Sequence, residues 1–542
     1  MPRRVSSFLA GERRLSFELQ GDNQTKNMYR PHRTRPGVLT LLNRNVIFTF
    51  ISSICAGGLT LLTVPVYLGL IGAERYGVLA FVWLIIGYFG IFILGLDKAI
   101  TNLLSQHRHD PEAARSLFQT AMLLNLLTSC AGGMAVYFVG YQVLARTMSV
   151  DDVLRDEILH AMPWIAASVP LATTTALLIG TLEAFERFPT LASTQLSATV
   201  LFQVVPILVA WLIGPQLTWV IPAAILTRAC STIWMMILLK PILRFNARIP
   251  LQFHWVAPLL RYGGSISLSG IAAPILTSLD RVIIGAALGA AAVSYYVVPF
   301  SLVSAAQLVP GSLLRVLFPR LSTLAPAAAH ETSIKATLTL GAILTPLIAF
   351  GILFARPLMT FWLGMAFAHK AQGIAEILLH GAWINCLAWA PSTLLLSQGR
   401  PGLVARLHLI EVTPFVALVW FGVWLGGIHG AAVASSMRMW ADALLLFHVS
   451  RLGPAIARPL ACPSALITLA LVASLSLSWT SPTYLLLSST IEMGCIAWSI
   501  SQISLRQRNR LLAFRPKWPA WRRTSAAHGT STARASRWRP LQ

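Results

Sequence analysis

VIFTFISSICAGGLTLLTVPVYLGL, Val46 to Leu70, is a run of twenty-five residues without a charge. As a helix it is long enough to cross a hydrocarbon core of about 30 Å, and in lipid only a helix or a closed barrel satisfies its own backbone. Thirteen further long apolar runs follow, several with isolated charges, at 77–101, 117–139, 161–182, 191–213, 217–239, 263–289, 291–314, 336–355, 374–396, 403–425, 428–449, 461–479 and 484–503. The expected fold is an all-α polytopic membrane protein with about 14 transmembrane helices.

Composition agrees. Hydrophobic residues make up 56% of the chain and charged residues 11%, against about 25% charged in a soluble domain. Glycine and proline recur inside the apolar runs, where lipid-embedded helices tolerate them. The runs leave no water-soluble domain of any size.

The basic residues set the orientation. Alternate gaps hold Arg108, Arg115, Arg187, Lys240, Arg244, Arg248, Arg261, Arg315, Arg320, Lys335, Arg400, Arg406, Arg451 and Arg458, whereas the intervening gaps hold Arg75, Arg146, Arg155, Arg356 and Lys370. The richer set is expected on the cytoplasmic side, with both termini there as well. The net charge of +23 resides mainly in these loops and in two tails, where it sets topology and meets anionic lipid, so no nucleic-acid partner is expected.

Residues 1–44 form a polar, basic tail, too long before the first apolar run to be the leader of a cleaved signal peptide. A start at Met28 would leave a short basic leader before the first span. Residues 506–542 mix arginine with Trp518, Trp521 and Trp538 and with proline, serine and threonine, a composition that cannot bury a core. Both tails are expected to be disordered and cytoplasmic. The six cysteines lie at wide, irregular spacing inside apolar runs and read as small core residues, with no disulfide frame and no metal or other cofactor expected. His107 and His109 read as a solvated loop.

An enzyme acting on lipid-linked sugars would be expected to carry a sizeable extracytoplasmic loop with catalytic acids. The longest outer gaps here have about twenty residues. One of them holds Asp151, Asp152, Asp156 and Glu157 around Arg155, a spacing that suits a short helix with its carboxylates in water. No nucleotide-binding or hydrolase motif is present. A transporter or channel remains, and for that class the informative residues are ionisable groups at membrane depth, each costing at least about 2.5–3.5 kcal/mol near the bilayer centre.

Arg228 lies twelve residues before Lys240, about 18 Å along a helix and thus near the midplane. No acid lies within four residues of it. Arg438 precedes Arg451 by thirteen residues, at a matching depth, and Asp442 one turn later offers it a partner on its own helix. Asp97 with Lys98, and Asp280 with Arg281, are adjacent opposite charges that point about 100° apart, so each is expected to find its own interhelical partner, as an ion site or as a lock between helices.

Several of these residues carry a family resemblance. Ser278-Leu279-Asp280-Arg281-Val282-Ile283-Ile284-Gly285, then Tyr295-Tyr296 and Leu317-Phe318-Pro319-Arg320-Leu321-Ser322, resemble the polysaccharide flippases of the multidrug/oligosaccharidyl-lipid/polysaccharide exporter superfamily. So do Asn43-Arg44-Asn45, Pro65-Val66-Tyr67, Gly72-Ala73-Glu74-Arg75-Tyr76-Gly77, Leu94-Gly95-Leu96 and Gly427-Ile428-His429-Gly430-Ala431-Ala432. Where members often place an aspartate before Leu-Gly-Leu, this chain has Ile93, with Asp97 four residues later.

The resemblance spans about residues 40–500. It implies two six-helix lobes around a central cavity, residues 45–240 and 263–450, joined by a linker at 241–262 and followed by two further transmembrane helices within 460–505. It implies a non-enzymatic flippase in the bacterial plasma membrane that carries a polyprenyl-diphosphate-linked oligosaccharide to the outer leaflet by alternating access, for O-antigen, capsule or exopolysaccharide. Arg228, Arg281 and Arg438 would meet the diphosphate and sugars, because guanidinium forks suit phosphate oxygens. Asp97, Asp280 and Asp442 would couple to ions or protons. Expected partners are the lipid-linked substrate, membrane lipids, and a polymerase and glycosyltransferases of the same pathway. A drug and organic-cation antiporter of the same superfamily is the alternative, and a membrane-embedded polymerase or ligase the second.

Overall fold

The computed structural model describes residues 37–88, 94–107, 109–142, 151–243, 252–270, 276 and 278–502. The tail before residue 37, the tail after 502 and the cytoplasmic assignments of Arg108, Arg244 and Arg248 lie outside them.

The described residues are helical with short connections. In order, the helices are α1 Gly37–Tyr88, α2 Leu96–His107, α3 Pro111–Gln142, α4 Asp152–Ala184, α5 Phe188–Leu212, α6 Leu217–Leu243, α7 Val256–Gly270, α8 Leu279–Leu288, α9 Ala290–Thr323, α10 Pro326–Leu353, α11 Ala355–Leu363, α12 Met365–Ser397, α13 Pro401–Val449, α14 Gly453–Ser476 and α15 Pro482–Gln502. Among the described residues ten helices are long and apolar enough to cross a membrane. The fourteen expected runs are compatible with this set: the kinked α13 holds two of them, the kinked α1 holds the first and the start of the second, and α7, α8 and α15 carry the seventh and the last.

Glycine makes these joints possible. Gly72 (φ 79°, ψ 168°) reverses the chain inside α1, and Gly289 (φ 84°, ψ 177°) does the same between α8 and α9, a left-handed conformation that costs glycine nothing. In α13, Gly427 (φ 56°) marks the corresponding joint.

The second and seventh runs were expected as continuous helices, and here the structure differs. Helix α1 ends at Tyr88 and α2 begins at Leu96, with Leu94 (φ 50°) and Gly95 (φ 65°) in left-handed conformations. The seventh run is divided between α7 and α8. At the break before α2 the backbone of Gly95 meets that of Gly263, inside α7, so closely that a Cβ on Gly95 would lie 2.4 Å from the Gly263 oxygen. Hydropathy carries no trace of such contacts, since a broken apolar helix is as apolar as a continuous one.

Helices α3 and α4, α4 and α6, and α5 with α1 and α6 pack together, while α12 packs on α9, α10 and α13, and α14 and α15 pack on α10. At the Gly72 end α1 packs closely on α9, where a Cβ on Gly77 would lie 1.8 Å from the Ala290 oxygen. Buried side chains from both halves of the chain, Tyr67 and Val78 with Val293 and Met439 among them, form one core.

The Asp151–Glu157 segment corrects its expectation in part. Asp151, Asp152 and Asp156 are exposed, and Arg155 pairs with Asp152 at 3.0 Å. Glu157, however, is buried, bound to the Arg75 guanidinium at 2.7 Å and accepting from the Leu217 amide at 2.8 Å. It ties the Gly72 turn to α4 and the start of α6 as a structural lock.

Candidate functional site

A cavity of about 730 Å³ with polar groups in its wall opens among α8, α9, α12 and α13. Each helix contributes a stripe at helical spacing: Phe300, Ser304, Gln307 and Gly311 from α9, Asn385, Trp389 and Thr393 from α12. Arg281 and Arg438 both line it. The sequence placed these two at membrane depth, and the fold brings them to one space.

Their guanidinium groups are held by aromatic faces. Arg281 lies 4.1 Å from the Phe300 ring centroid and Arg438 lies 5.0 Å from that of Phe415, an attraction that holds a cation without consuming its hydrogen bonds. The Nε atoms of both are buried without a hydrogen-bond partner among the described residues.

Arg438 does not pair with Asp442 as the helix spacing led us to expect. Its acidic neighbour is Glu411, from the other arm of the kinked α13, at 3.9 Å. Asp442 instead faces His408 at 3.6 Å and accepts from Asn385 Nδ2 at 3.4 Å. The kink at Gly426 and Gly427 folds residues 401–425 back beside 428–449, so that groups some thirty positions apart become nearer than one turn of helix. Both Glu411 carboxylate oxygens are buried without a hydrogen-bond donor.

Arg228 occupies a different space. It lines a smaller cavity of about 330 Å³ among α1, α4, α5 and α6, together with Thr175, Gln195, Thr199, Phe202 and Ser231. Its guanidinium lies 5.8 Å from the Phe202 ring centroid, and among the described residues no acid pairs with it. The two halves of the chain thus each hold an arginine-bearing cavity.

Of the three aspartates expected as coupling sites, Asp442 lines the 730 Å³ cavity. Asp280 is buried and locked, accepting from Tyr296 Oη at 2.6 Å and Ser435 Oγ at 3.2 Å, which joins α8, α9 and α13. Asp97 pairs with its own neighbour Lys98 at 3.7 Å, and Lys98 also reaches Glu183 at 3.8 Å. Asp280 thus has partners on other helices, and so does Lys98 in Glu183, whereas Asp97 pairs with its own neighbour.

Sequence reasoning passed over His408, Glu411 and Glu376, all at membrane depth. His408 and Glu411 stand three residues apart within the 403–425 run, a shared helix face that was the available signal. Glu376, in α12, is 3% exposed.

Comparison with known proteins gives a consistent picture. A family model described as polysaccharide biosynthesis protein matches residues 42–325. A Shigella flexneri protein named "Putative O-antigen transporter" is 25% identical over 378 residues, which cover 69% of this chain and 90% of that protein. Among solved structures, the lipid II flippase MurJ in an inward closed conformation superposes with a TM-score of 0.62 at 14% identity, covering 87% of this chain and 100% of that one. A multidrug resistance MATE family transporter of the MOP superfamily, inward-facing, gives 0.56 at 14% identity, covering 74% and 94%. At such identity these likenesses speak to the fold.

Proposed function

Because the chain belongs to the polysaccharide biosynthesis protein family and has the fold of MurJ-type and MATE transporters, we propose that it carries a polyprenyl-diphosphate-linked oligosaccharide from the cytoplasmic to the outer leaflet. The observation that carries this reading is the 730 Å³ cavity with Arg281 and Arg438. A glycolipid of this class keeps its hydrocarbon tail in lipid, while its diphosphate needs cationic, forked donors in place of water. Two guanidinium groups lining one cavity, braced by Phe300 and Phe415, offer that replacement. Glu411 lies 3.9 Å from Arg438, behind the cavity wall, and helps hold that guanidinium in place. Arg228 offers a third cation in the smaller cavity.

In this reading residues 45–240 and 263–450 act as two lobes that open alternately to either side, the linker at 241–262 joins them, and the helices within 460–505 lie outside the pair. The Gly72 end faces outward, both termini are cytoplasmic, and the membrane is the bacterial inner membrane. Asp442, with His408 beside it, is the best placed of the three aspartates to couple transport to protons or ions. One charge crossing 100 mV supplies about 2.3 kcal/mol, enough to bias such an exchange. Glycosyltransferases and a polymerase of the pathway supply and consume the cargo.

A binding measurement tests this reading. A short-chain, water-soluble diphosphate-linked oligosaccharide, titrated into purified protein by calorimetry, binds wild type and loses roughly ten-fold or more in affinity with Arg281→Ala or Arg438→Ala. Equal affinity in all three proteins overturns it.

A further inference from the structure

Resting on that transport reading, we propose that Trp389, with the Gln307–Asn385–Asp442 strip above it, is the seat for the sugar unit joined directly to the diphosphate. Of the residues lining the arginine-bearing cavity, Trp389 is the one tryptophan. Its side chain is 37% exposed, and the cavity is what it is exposed to. Other tryptophans of the described residues have different duties: Trp383 and Trp498 are buried in the core, Trp440 donates to His380, and Trp211, Trp420 and Trp424 stand on the apolar surface.

Chemistry and register both point to a pyranose. One turn of α12 from Trp389, Asn385 accepts from Gln307 Nε2 at 3.3 Å and donates to Asp442 Oδ2 at 3.4 Å. The strip joins α9, α12 and α13 across the cavity wall. Each amide keeps a second N–H, and Asp442 Oδ1 faces His408 Nε2 at 3.6 Å, so the strip ends in a paired carboxylate. A flat apolar ring beside a row of planar amide and carboxylate groups matches a sugar, which presents an apolar C–H face and a rim of hydroxyls that both donate and accept.

The spacing also fits. Arg438 stands one turn from Asp442 on α13, and Asn385 one turn from Trp389 on α12, about 6 Å each along the axis. A diphosphate held at Arg281 and Arg438 therefore places its first sugar beside the strip, with its face on Trp389. Across the cavity Gly311 approaches the Trp389 ring, a Cβ there lying 3.4 Å from Cζ3, so a larger residue at 311 would crowd the indole.

The test compares three fluorescent cargoes in proteoliposomes: bare undecaprenyl diphosphate, its monosaccharide conjugate and the full oligosaccharide conjugate. Wild type moves the two glycosylated lipids faster than the bare one. Trp389→Ala loses this preference, its rates for the glycosylated lipids falling roughly ten-fold while bare diphosphate moves as before, and Trp389→Phe retains most of it. Asn385→Leu, which removes the strip but keeps the bulk, also loses the preference. Equal slowing of all three cargoes by Trp389→Ala, or an unchanged preference, overturns the sugar seat while leaving the transport reading intact. Movement of no cargo by wild type refutes the transport reading and this inference with it.

Discussion

Replacing Gly77 by alanine puts a methyl carbon where the Ala290 carbonyl already sits, 1.8 Å from its oxygen and 2.6 Å from its carbon. Both obstacles are backbone, so no rotamer change relieves them, and α1 and α9 must separate by more than 1 Å. Overpacking a well-filled contact typically costs about 1–3 kcal/mol, and a backbone collision belongs at the upper end. Applied only to the state closed at the Gly72 end, that cost shifts the balance between states by about 5–150-fold. The assay is a pair of spin labels at Glu74 and the exposed Ala287, with the inter-label distance distribution measured in nanodiscs alongside flipping rates. Gly77→Ala lengthens the distance and slows flipping. Gly69→Ala is the control, because a Cβ there meets nothing within 4 Å, and it changes neither. A wild-type distance with a wild-type rate in Gly77→Ala refutes the assignment of this contact as a gate.

The contact between the broken helices behaves the same way at the opposite end. Gly263→Ala drives a Cβ to 2.4 Å from the Leu94 oxygen, so a cysteine at Thr393 gains reactivity toward a water-soluble maleimide added from that side. Glu157→Ala removes the partner of Arg75 and of the Leu217 amide, costing about 2 kcal/mol and lowering the thermal midpoint in detergent, with Glu157→Gln costing less. Arg438→Ala leaves Glu411 buried without its cation and lowers stability by about 3 kcal/mol. Adding Glu411→Gln restores the thermal midpoint of Arg438→Ala while transport stays lost, which separates the stability of the pair from the role of the guanidinium.

The helices were legible because lipid leaves the backbone little choice: a run such as Val46–Leu70 must bond within itself. Where helices break was not legible, since Gly95 and Gly263 meet through tertiary contact and the apolar pattern passes over both. The turn at Gly72 showed its glycine in the sequence, yet nothing there indicated that a single residue suffices for the reversal. Arg281 and Arg438 stood out as costly charges at depth, but their convergence depends on the fold of α8 against the kinked α13. The pairing of Arg438 went wrong for the same reason: local spacing favoured Asp442, and the kink supplied Glu411 instead. Trp389 was hidden among 17 tryptophans until the cavity distinguished it from those facing lipid.

The most direct test of the central claim is flipping of a fluorescent undecaprenyl-diphosphate oligosaccharide in proteoliposomes, read by quenching of label exposed on one leaflet. The account predicts that wild type equilibrates the lipid between leaflets, that Arg281→Ala and Arg438→Ala each slow this at least roughly ten-fold, and that Arg438→Lys falls between. Rates unchanged in both alanine variants would contradict it.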